Sequence, residues 1–64
     1  MEYNERRASL DVRFRNGRIY RYSNVAASTY NELVSADSIG GAFEELIVRG
    51  NFEYRELQDA EYFN

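Results

Sequence analysis

Apolar and polar side chains alternate strictly over residues 9–15. This period of two predicts a half-buried β-strand, because successive side chains of a strand point to opposite faces of a sheet. Asn16-Gly17 follows directly, and a second run typical of strands occupies residues 19–22. Both residues of the Asn-Gly pair tolerate positive φ, so the pair is a strong signal for a tight turn. The sequence therefore predicts an antiparallel hairpin.

The register of this hairpin decides which side chains meet the core, since a slip of one residue exchanges the two faces. A two-residue turn would pair Val12 with Arg21 and leave an arginine on the apolar face. A three-residue loop with Gly17 in a bulge would pair Val12 with Tyr20 instead. We favour the second register because it separates apolar from charged side chains more cleanly and leaves only Ile19 out of place.

The apolar spacing becomes helical after the hairpin. Apolar residues recur along one stripe between residues 26 and 36, which predicts a first helix. Asn24 is one candidate for its N-terminal cap. Thr29 with Glu32 matches a capping box that would start the helix later.

A second helix is predicted to follow the first. Its apolar residues share one face, namely Ile39, Phe43, Leu46 and Ile47. Either Asp37 or Ser38 can cap it. Gly40 and Gly41 fall in its first turn, where each glycine weakens a helix by about 1 kcal/mol relative to alanine. We therefore expect these two glycines to serve close backbone approach to a strand or to an anion.

The last predicted element is a third strand over residues 52–57, and residues 58–64 are expected to form an acidic tail in which Tyr62 and Phe63 could dock on another surface. The element order predicts a single α+β domain over residues 1–64, with a three-stranded antiparallel sheet in β-β-α-α-β order and two helices on one face. The expected core residues are Leu10, Val12, Phe14, Leu33, Phe43 and Ile47.

The composition limits the chemistry that the protein can perform. A chain of 64 residues buries only about 60% of its unfolded surface, so a thin core or a homo-oligomer is expected. Cysteine and histidine are both absent, which excludes thiolate sites and removes the commonest general base and metal ligand. No apolar run approaches the roughly 20 residues of a membrane span, and polar residues follow Met1. We expect a cytoplasmic protein that is not an enzyme and holds no metal or cofactor.

The charges are unevenly distributed. All eight basic residues are arginine, and residues 1–22 carry six of them against three acidic residues, a net charge of +3. Residues 23–64 carry two arginines against eight acidic residues, a net charge of −6. Guanidinium groups bind phosphate or carboxylate at two points and stack on flat rings. The pattern indicates either a local anion site or simply a solvated strand face.

Several short motifs over residues 3–57 are each weak alone, but their order and spacing together are more specific. They are Tyr3-Asn4, Leu10-x-Val12-x-Phe14, Asn16-Gly17, Tyr20-x-Tyr22, Val25, Tyr30, Leu33, Ser38, Gly40, Phe43 and Phe52-x-Tyr54. This pattern resembles the KTSC domain, which is named for the C-terminal extension of some lysyl-tRNA synthetases and occurs more often as a small free-standing bacterial or phage protein. The resemblance implies an α+β domain with no assigned catalytic residues, for which RNA binding is a guess from the synthetase context. The chain departs from the pattern at Ala26-Ala27, where two prolines are common, at Glu44, where asparagine is frequent, and by one extra residue near residues 48–50.

Three classes of function fit these features. Long RNA is disfavoured because the chain carries a net charge of −3. A compact nucleotide-like anion needs only a few guanidinium groups and a ring for stacking. We favour such a binder, and a phage-type protein that sequesters nucleotide signals as an oligomer fits this description. The alternatives are a module that binds short RNA and a protein-interaction module that uses the tyrosines and a sheet edge.

The predicted ligand-binding residues are Arg13, Arg15, Arg18, Tyr20, Arg21, Tyr22, Gly40 and Gly41. A cavity of about 300 Å³ is difficult to form within 64 residues, so the site is expected between the subunits of a homo-oligomer. In the alternative interpretation Tyr20 and Tyr22 are mainly core aromatics. The acidic residues Asp37, Glu44 and Glu45 are not expected to bind a metal.

Overall fold

A computed structural model describes residues 1–58 of the chain. Its elements in chain order are β1 Glu2–Asn4, β2 Ser9–Arg13, β3 Ile19–Tyr22, α1 Ala27–Ser35, α2 Ile39–Phe43, a π-helix Glu44–Val48 and β4 Tyr54–Leu57. The predicted α+β class is confirmed. Apart from Gln58, the predicted acidic tail with Tyr62 and Phe63 lies outside the described residues.

The described residues form a four-stranded antiparallel sheet in the order β1-β2-β3-β4, so the prediction of three strands is wrong. The additional strand is β1, whose Tyr3 pairs with Leu10. The hydroxyl of Tyr3 donates a hydrogen bond of 2.6 Å to the carbonyl oxygen of Val25. Its ring stacks on Tyr30 with centroids 4.5 Å apart. Residues distant in sequence therefore hold β1, and a three-residue strand is too short to show an alternation.

The hairpin of β2 and β3 has the favoured register, in which Val12 pairs with Tyr20. Gly17 has a φ of +87° in the loop, as a bulged three-residue connection requires. Its amide donates a hydrogen bond of 2.9 Å to the carbonyl oxygen of Phe14. The prediction of a three-residue loop is confirmed.

Helix α1 forms where the apolar stripe predicts it, but neither proposed cap is used. Ala26 occupies the N-cap position without a side-chain hydrogen bond, so the later start at Thr29 is also wrong. Asn24 instead adopts a left-handed conformation with φ of +59°. The following amide, that of Val25, donates a hydrogen bond of 2.7 Å to the carbonyl oxygen of Ala8. The left-handed turn at Asn24 therefore brings the backbone of Val25 against Ala8, and the side chain of Val25 is fully buried.

Helix α2 is capped by Ser38, whose hydroxyl oxygen accepts a hydrogen bond of 3.3 Å from the amide of Gly41. A side chain at Gly40 would meet nothing within 4 Å, and one at Gly41 would meet only the side chain of Ser38. The expectation that these glycines allow a close approach to a strand is therefore wrong. Both residues are exposed.

The close approach occurs instead at Gly50, after the π-helix. A Cβ atom there would lie 2.5 Å from the carbonyl oxygen of Leu46 and 2.7 Å from a ring carbon of Phe52. The amide of Arg49 donates a hydrogen bond of 3.0 Å to the carbonyl oxygen of Glu44, five residues earlier. The π-helix, with this wider hydrogen-bond spacing, ends beside residues 48–50, where the sequence has one residue more than the pattern it resembles. Gly50 then lets Phe52 fold back against the helix end.

One side of the sheet, called here the helix face, carries Tyr3, Leu10, Val12, Tyr20, Tyr22 and Tyr54. The buried core cluster between this face and the helices contains Leu10, Tyr22, Val25, Leu33 and Ile47. Of the predicted core residues, Leu10, Leu33 and Ile47 belong to this cluster, and half-buried Val12 and Phe43 pack against it. Phe14 is half-buried outside the cluster, because it lies beyond the end of β2.

The opposite face of the sheet is not simply polar. The prediction that Ile19 points away from a core is wrong, since only 1% of its surface is exposed. Ile19 pairs with Leu57 of β4, which is also buried. On the same face Arg21 donates two hydrogen bonds to the carboxylate of Asp11, at 2.8 and 3.0 Å. The alternation within the hairpin could not predict this burial, because β4 comes from a distant part of the sequence.

Candidate functional site

The helix face of the sheet and the π-helix border an open cavity of about 430 Å³. Its volume falls within the range of about 300 to 1,000 Å³ that small-molecule sites occupy. The lining residues are Phe14, Asn16, Tyr20, Tyr22, Ile47, Val48, Phe52 and Tyr54. Most of these side chains are aromatic, so the cavity suits a flat ligand that can stack.

Strand pairing brings three tyrosines to one side of the cavity. Tyr20 and Tyr22 occupy alternate positions of β3 and share the helix face, and Tyr54 of β4 pairs with Tyr22. The rings of Tyr20 and Tyr54 meet edge to face at 5.8 Å, and those of Tyr22 and Tyr54 lie 5.4 Å apart at an angle of 35°. Such aromatic pairs stabilise each other by about 0.5 to 1.5 kcal/mol beyond burial. The tyrosines therefore form a connected wall.

Two phenylalanines extend this wall toward the helices. The ring of Phe14 lies edge to face with Tyr20 at 5.4 Å and with Phe43 at 5.9 Å. Phe43 also contacts Tyr22, at 5.7 Å. These contacts tie the sheet side of the cavity to α2, so the rings support one another by packing.

The cavity has a buried floor and an exposed rim. Tyr22 is 7% exposed and Ile47 is 1% exposed, whereas Tyr54 is 63% exposed and Val48 is 55% exposed. Burial, followed by the nearby Tyr54 and Tyr20, raises the pKa of Tyr22. The hydroxyl of Tyr22 consequently stays neutral at physiological pH, and the floor is uncharged.

An arginine lies at the edge of this aromatic wall. A hydrogen bond between Arg18 and Tyr20, together with the negative charge of Glu56, raises the pKa of Arg18 above its ordinary value. Arg18 is exposed, so its guanidinium group remains accessible to an anion. The backbone amide of Arg18 also donates a hydrogen bond of 3.0 Å to the side-chain oxygen of Asn16, which lines the cavity. The hairpin loop thus places a cation and an amide group beside the aromatic rings.

The residues that the sequence proposes as a site are only partly together. Tyr20 and Tyr22 line the cavity, and Arg18 lies near enough to Tyr20 for that side chain to raise its pKa. Arg13 and Arg21 alternate with the helix-face residues and lie on the opposite face of the sheet.

The other three predicted site residues are also away from the lining. Arg15 is exposed in the hairpin loop. Gly40 and Gly41 lie exposed at the start of α2, a helix of five residues. The six arginines of residues 1–22 therefore do not converge on the cavity.

Sequence reasoning missed several residues that line the cavity. It assigned Phe14 to the core and Asn16 only to the turn, and it gave no site role to Phe52 or Tyr54. The spacing Phe52-x-Tyr54 was visible in the sequence, and a pairing of the last strand with β3 would have placed Tyr54 beside Tyr22. That pairing joins residues separated by two helices, so no local pattern indicates it.

Within residues 1–58, no group of three acidic side chains comes together in a way that could hold a metal ion. The helices in that part of the chain are also too short and too polar to cross a membrane.

Comparison with known proteins identifies a family. No curated protein matches the chain. The sequence profile of the KTSC domain matches residues 1–52, which include the hairpin, both helices and every cavity residue except Tyr54. The match ends before β4, so it is shorter than the resemblance over residues 3–57. Because the match covers most of the 64 residues, this chain belongs to the KTSC domain family.

Proposed function

We propose that this domain is a non-enzymatic binding module for a small, flat, phosphate-bearing ligand of the nucleotide type. The ring of the ligand stacks in the aromatic cavity, and its phosphate contacts Arg18 at the rim. The observation that carries this proposal is the combination of a largely aromatic cavity of about 430 Å³ with an exposed guanidinium beside Tyr20.

The aromatic lining supports a planar ligand. Stacking of a base on an aromatic side chain contributes about 1 to 3 kcal/mol, and it tolerates different bases because each has a π-face. The exposed ring of Tyr54 and the half-buried rings of Phe14 and Phe52 offer such surfaces around the cavity. Since contacts between the rings already order the wall, little conformational entropy is lost on binding.

The charges favour a small anion over a long polyanion. A guanidinium binds a phosphate with two parallel hydrogen bonds, and Arg18 is the arginine associated with the cavity wall. Glu56 lies close enough to Arg18 to affect its pKa, and it would repel additional phosphates. One arginine beside the cavity, in a chain with a net charge of −3, fits a mononucleotide better than extended RNA.

The cavity is formed by a single chain. A second subunit is therefore not required to reach the volume of a small-molecule site, although the sequence led us to expect an intersubunit site. A homo-oligomer remains a prediction, and sedimentation at high micromolar concentration tests it independently of ligand binding.

Calorimetric titration with nucleoside monophosphates and the corresponding nucleosides tests the proposal. We expect the nucleotides to bind more tightly than the nucleosides. Arg18→Gln should weaken nucleotide binding about tenfold, equivalent to about 1.4 kcal/mol, because it removes the phosphate contact. The same change should leave nucleoside binding unaltered. Tyr54→Ala should weaken both ligands, because it removes an exposed stacking surface.

The matched control is Arg6→Gln, which makes the same charge change in the exposed turn between β1 and β2, at the other end of the sheet from the hairpin loop. This variant should bind nucleotides as the parent does. Failure of both nucleotides and nucleosides to bind, or equal loss in the two arginine variants, would contradict the proposal. Binding only of RNA several nucleotides long, with a steep dependence on salt, would favour the RNA-binding alternative.

A further inference from the structure

The polar side chains that line the cavity indicate which edge of a ligand ring the cavity accepts. Apart from the tyrosine hydroxyls, Asn16 supplies the polar side chain among the described lining residues. A tyrosine hydroxyl can both donate and accept a hydrogen bond, so it does not distinguish a carbonyl group from an amino group. An asparagine side chain has one accepting oxygen and an amino group with two donors. Asn16 is therefore the group whose orientation can discriminate.

The hairpin loop determines that orientation. The side-chain oxygen of Asn16 accepts the backbone N–H of Arg18 at 3.0 Å. Asn16 is exposed and lines the cavity, and with its oxygen held by the backbone its amino group is the remaining polar group of the side chain. Within residues 1–58, no side chain or carbonyl group accepts a hydrogen bond from that amino group. The cavity thus presents a hydrogen-bond donor at the position of Asn16.

We infer that Asn16 is a specificity-determining residue that selects rings with a carbonyl group at the edge facing the hairpin loop, over the same rings with an amino group there. This inference rests on the proposed function and names the ligand class of that site. A donor at this exposed position can form a hydrogen bond with a carbonyl oxygen, whereas it forms none with an opposing amino group. Uracil and hypoxanthine belong to the accepted class, and cytosine and adenine to the rejected class.

Two pairs of probes test the inference, uridine with cytidine monophosphate and inosine with adenosine monophosphate. Each pair shares a sugar and a phosphate, and differs at the ring edge that carries either the carbonyl or the amino group. We expect the parent protein to bind the carbonyl member about tenfold more tightly in the pair whose ring size the cavity accepts. The ratio within a pair is the measured quantity, so changes in phosphate affinity cancel.

Asn16→Asp reverses the chemistry while keeping the loop. A carboxylate still accepts the backbone N–H of Arg18, and aspartate is well tolerated in such turns. It offers an acceptor where asparagine offers a donor, so the preference should shift to the amino member of the pair. An unchanged thermal midpoint checks that the fold is intact.

Equal binding of the two members by the parent, or the same ratio in the parent and Asn16→Asp, would overturn this inference and leave the proposed function standing. Loss of the preference without reversal in a folded variant would also count against it. If neither pair binds to the parent at millimolar concentration, both the proposed function and the inference fail.

Discussion

Replacing Gly50 by alanine tests how the end of the π-helix shapes the cavity. The new Cβ would lie 2.5 Å from the carbonyl oxygen of Leu46 and 2.7 Å from a ring carbon of Phe52. Both distances are shorter than van der Waals contact, so the backbone or the ring must move. Phe52 lines the cavity, and its displacement would therefore change the ligand site as well as the packing.

The cost follows from two opposing effects. Overpacking typically destabilises a protein by about 1 to 3 kcal/mol. Replacing glycine by alanine also reduces the entropy of the unfolded chain, which offsets about 0.4 to 1 kcal/mol. We expect a net destabilisation on the order of 1 to 2 kcal/mol for Gly50→Ala.

Gly40→Ala is the matched control, because it makes the same chemical change in α2 where a Cβ meets nothing within 4 Å. It should stabilise the fold by about 0.4 to 1 kcal/mol, through the unfolded chain and higher helix propensity. One kcal/mol corresponds to roughly 4 to 8 °C in a domain this small. Thermal unfolding monitored by circular dichroism should therefore show opposite shifts. A Gly50→Ala variant at least as stable as the parent would refute the argument from the close approach.

Two further substitutions probe the tyrosines. Folding raises the pKa of Tyr22 above its ordinary value of 10.0 through burial, so its stabilising contribution is present below that value and is lost as pH rises through the native pKa. Tyr22→Phe should flatten the loss of stability above about pH 10 in urea unfolding curves, and an unchanged alkaline slope would contradict this. Tyr3→Phe removes the hydrogen bond of 2.6 Å to the carbonyl oxygen of Val25 but keeps the ring that stacks on Tyr30. It should reduce the free energy of unfolding by about 0.5 to 1.5 kcal/mol, and unchanged urea midpoints would show that β1 is held by the ring alone.

Local patterns were sufficient for the hairpin and for the existence of both helices. The register between Val12 and Tyr20 followed from the separation of apolar and charged side chains, since a slip by one residue would have exposed the apolar set. Ser38 was one of two cap candidates, with Asp37, because its hydroxyl can reach the first amides of the helix that follows. These features depend on residues close together in sequence.

The fourth strand and the burial on the opposite sheet face depended on distant contacts. The strand β1 is held by Tyr3 against Val25 and Tyr30, and Ile19 is paired with Leu57 of the last strand. Neither arrangement leaves a periodic signal, because each joins segments separated by other elements.

The sequence by itself determined the α+β class, the hairpin register, the two helices and the presence of an arginine-rich beginning. Only the tertiary structure decided which of these arginines approaches the aromatic cavity. Alternation along β2 and β3 places Arg13 and Arg21 on one face of the sheet and Tyr20 on the other. Of these three arginines, only Arg18 therefore lies beside the tyrosines. The cavity exists because Tyr54 and Phe52 return from beyond the helices. Its form follows from the pairing of β4 with β3 and from the close approach at Gly50, which are both interactions across the fold.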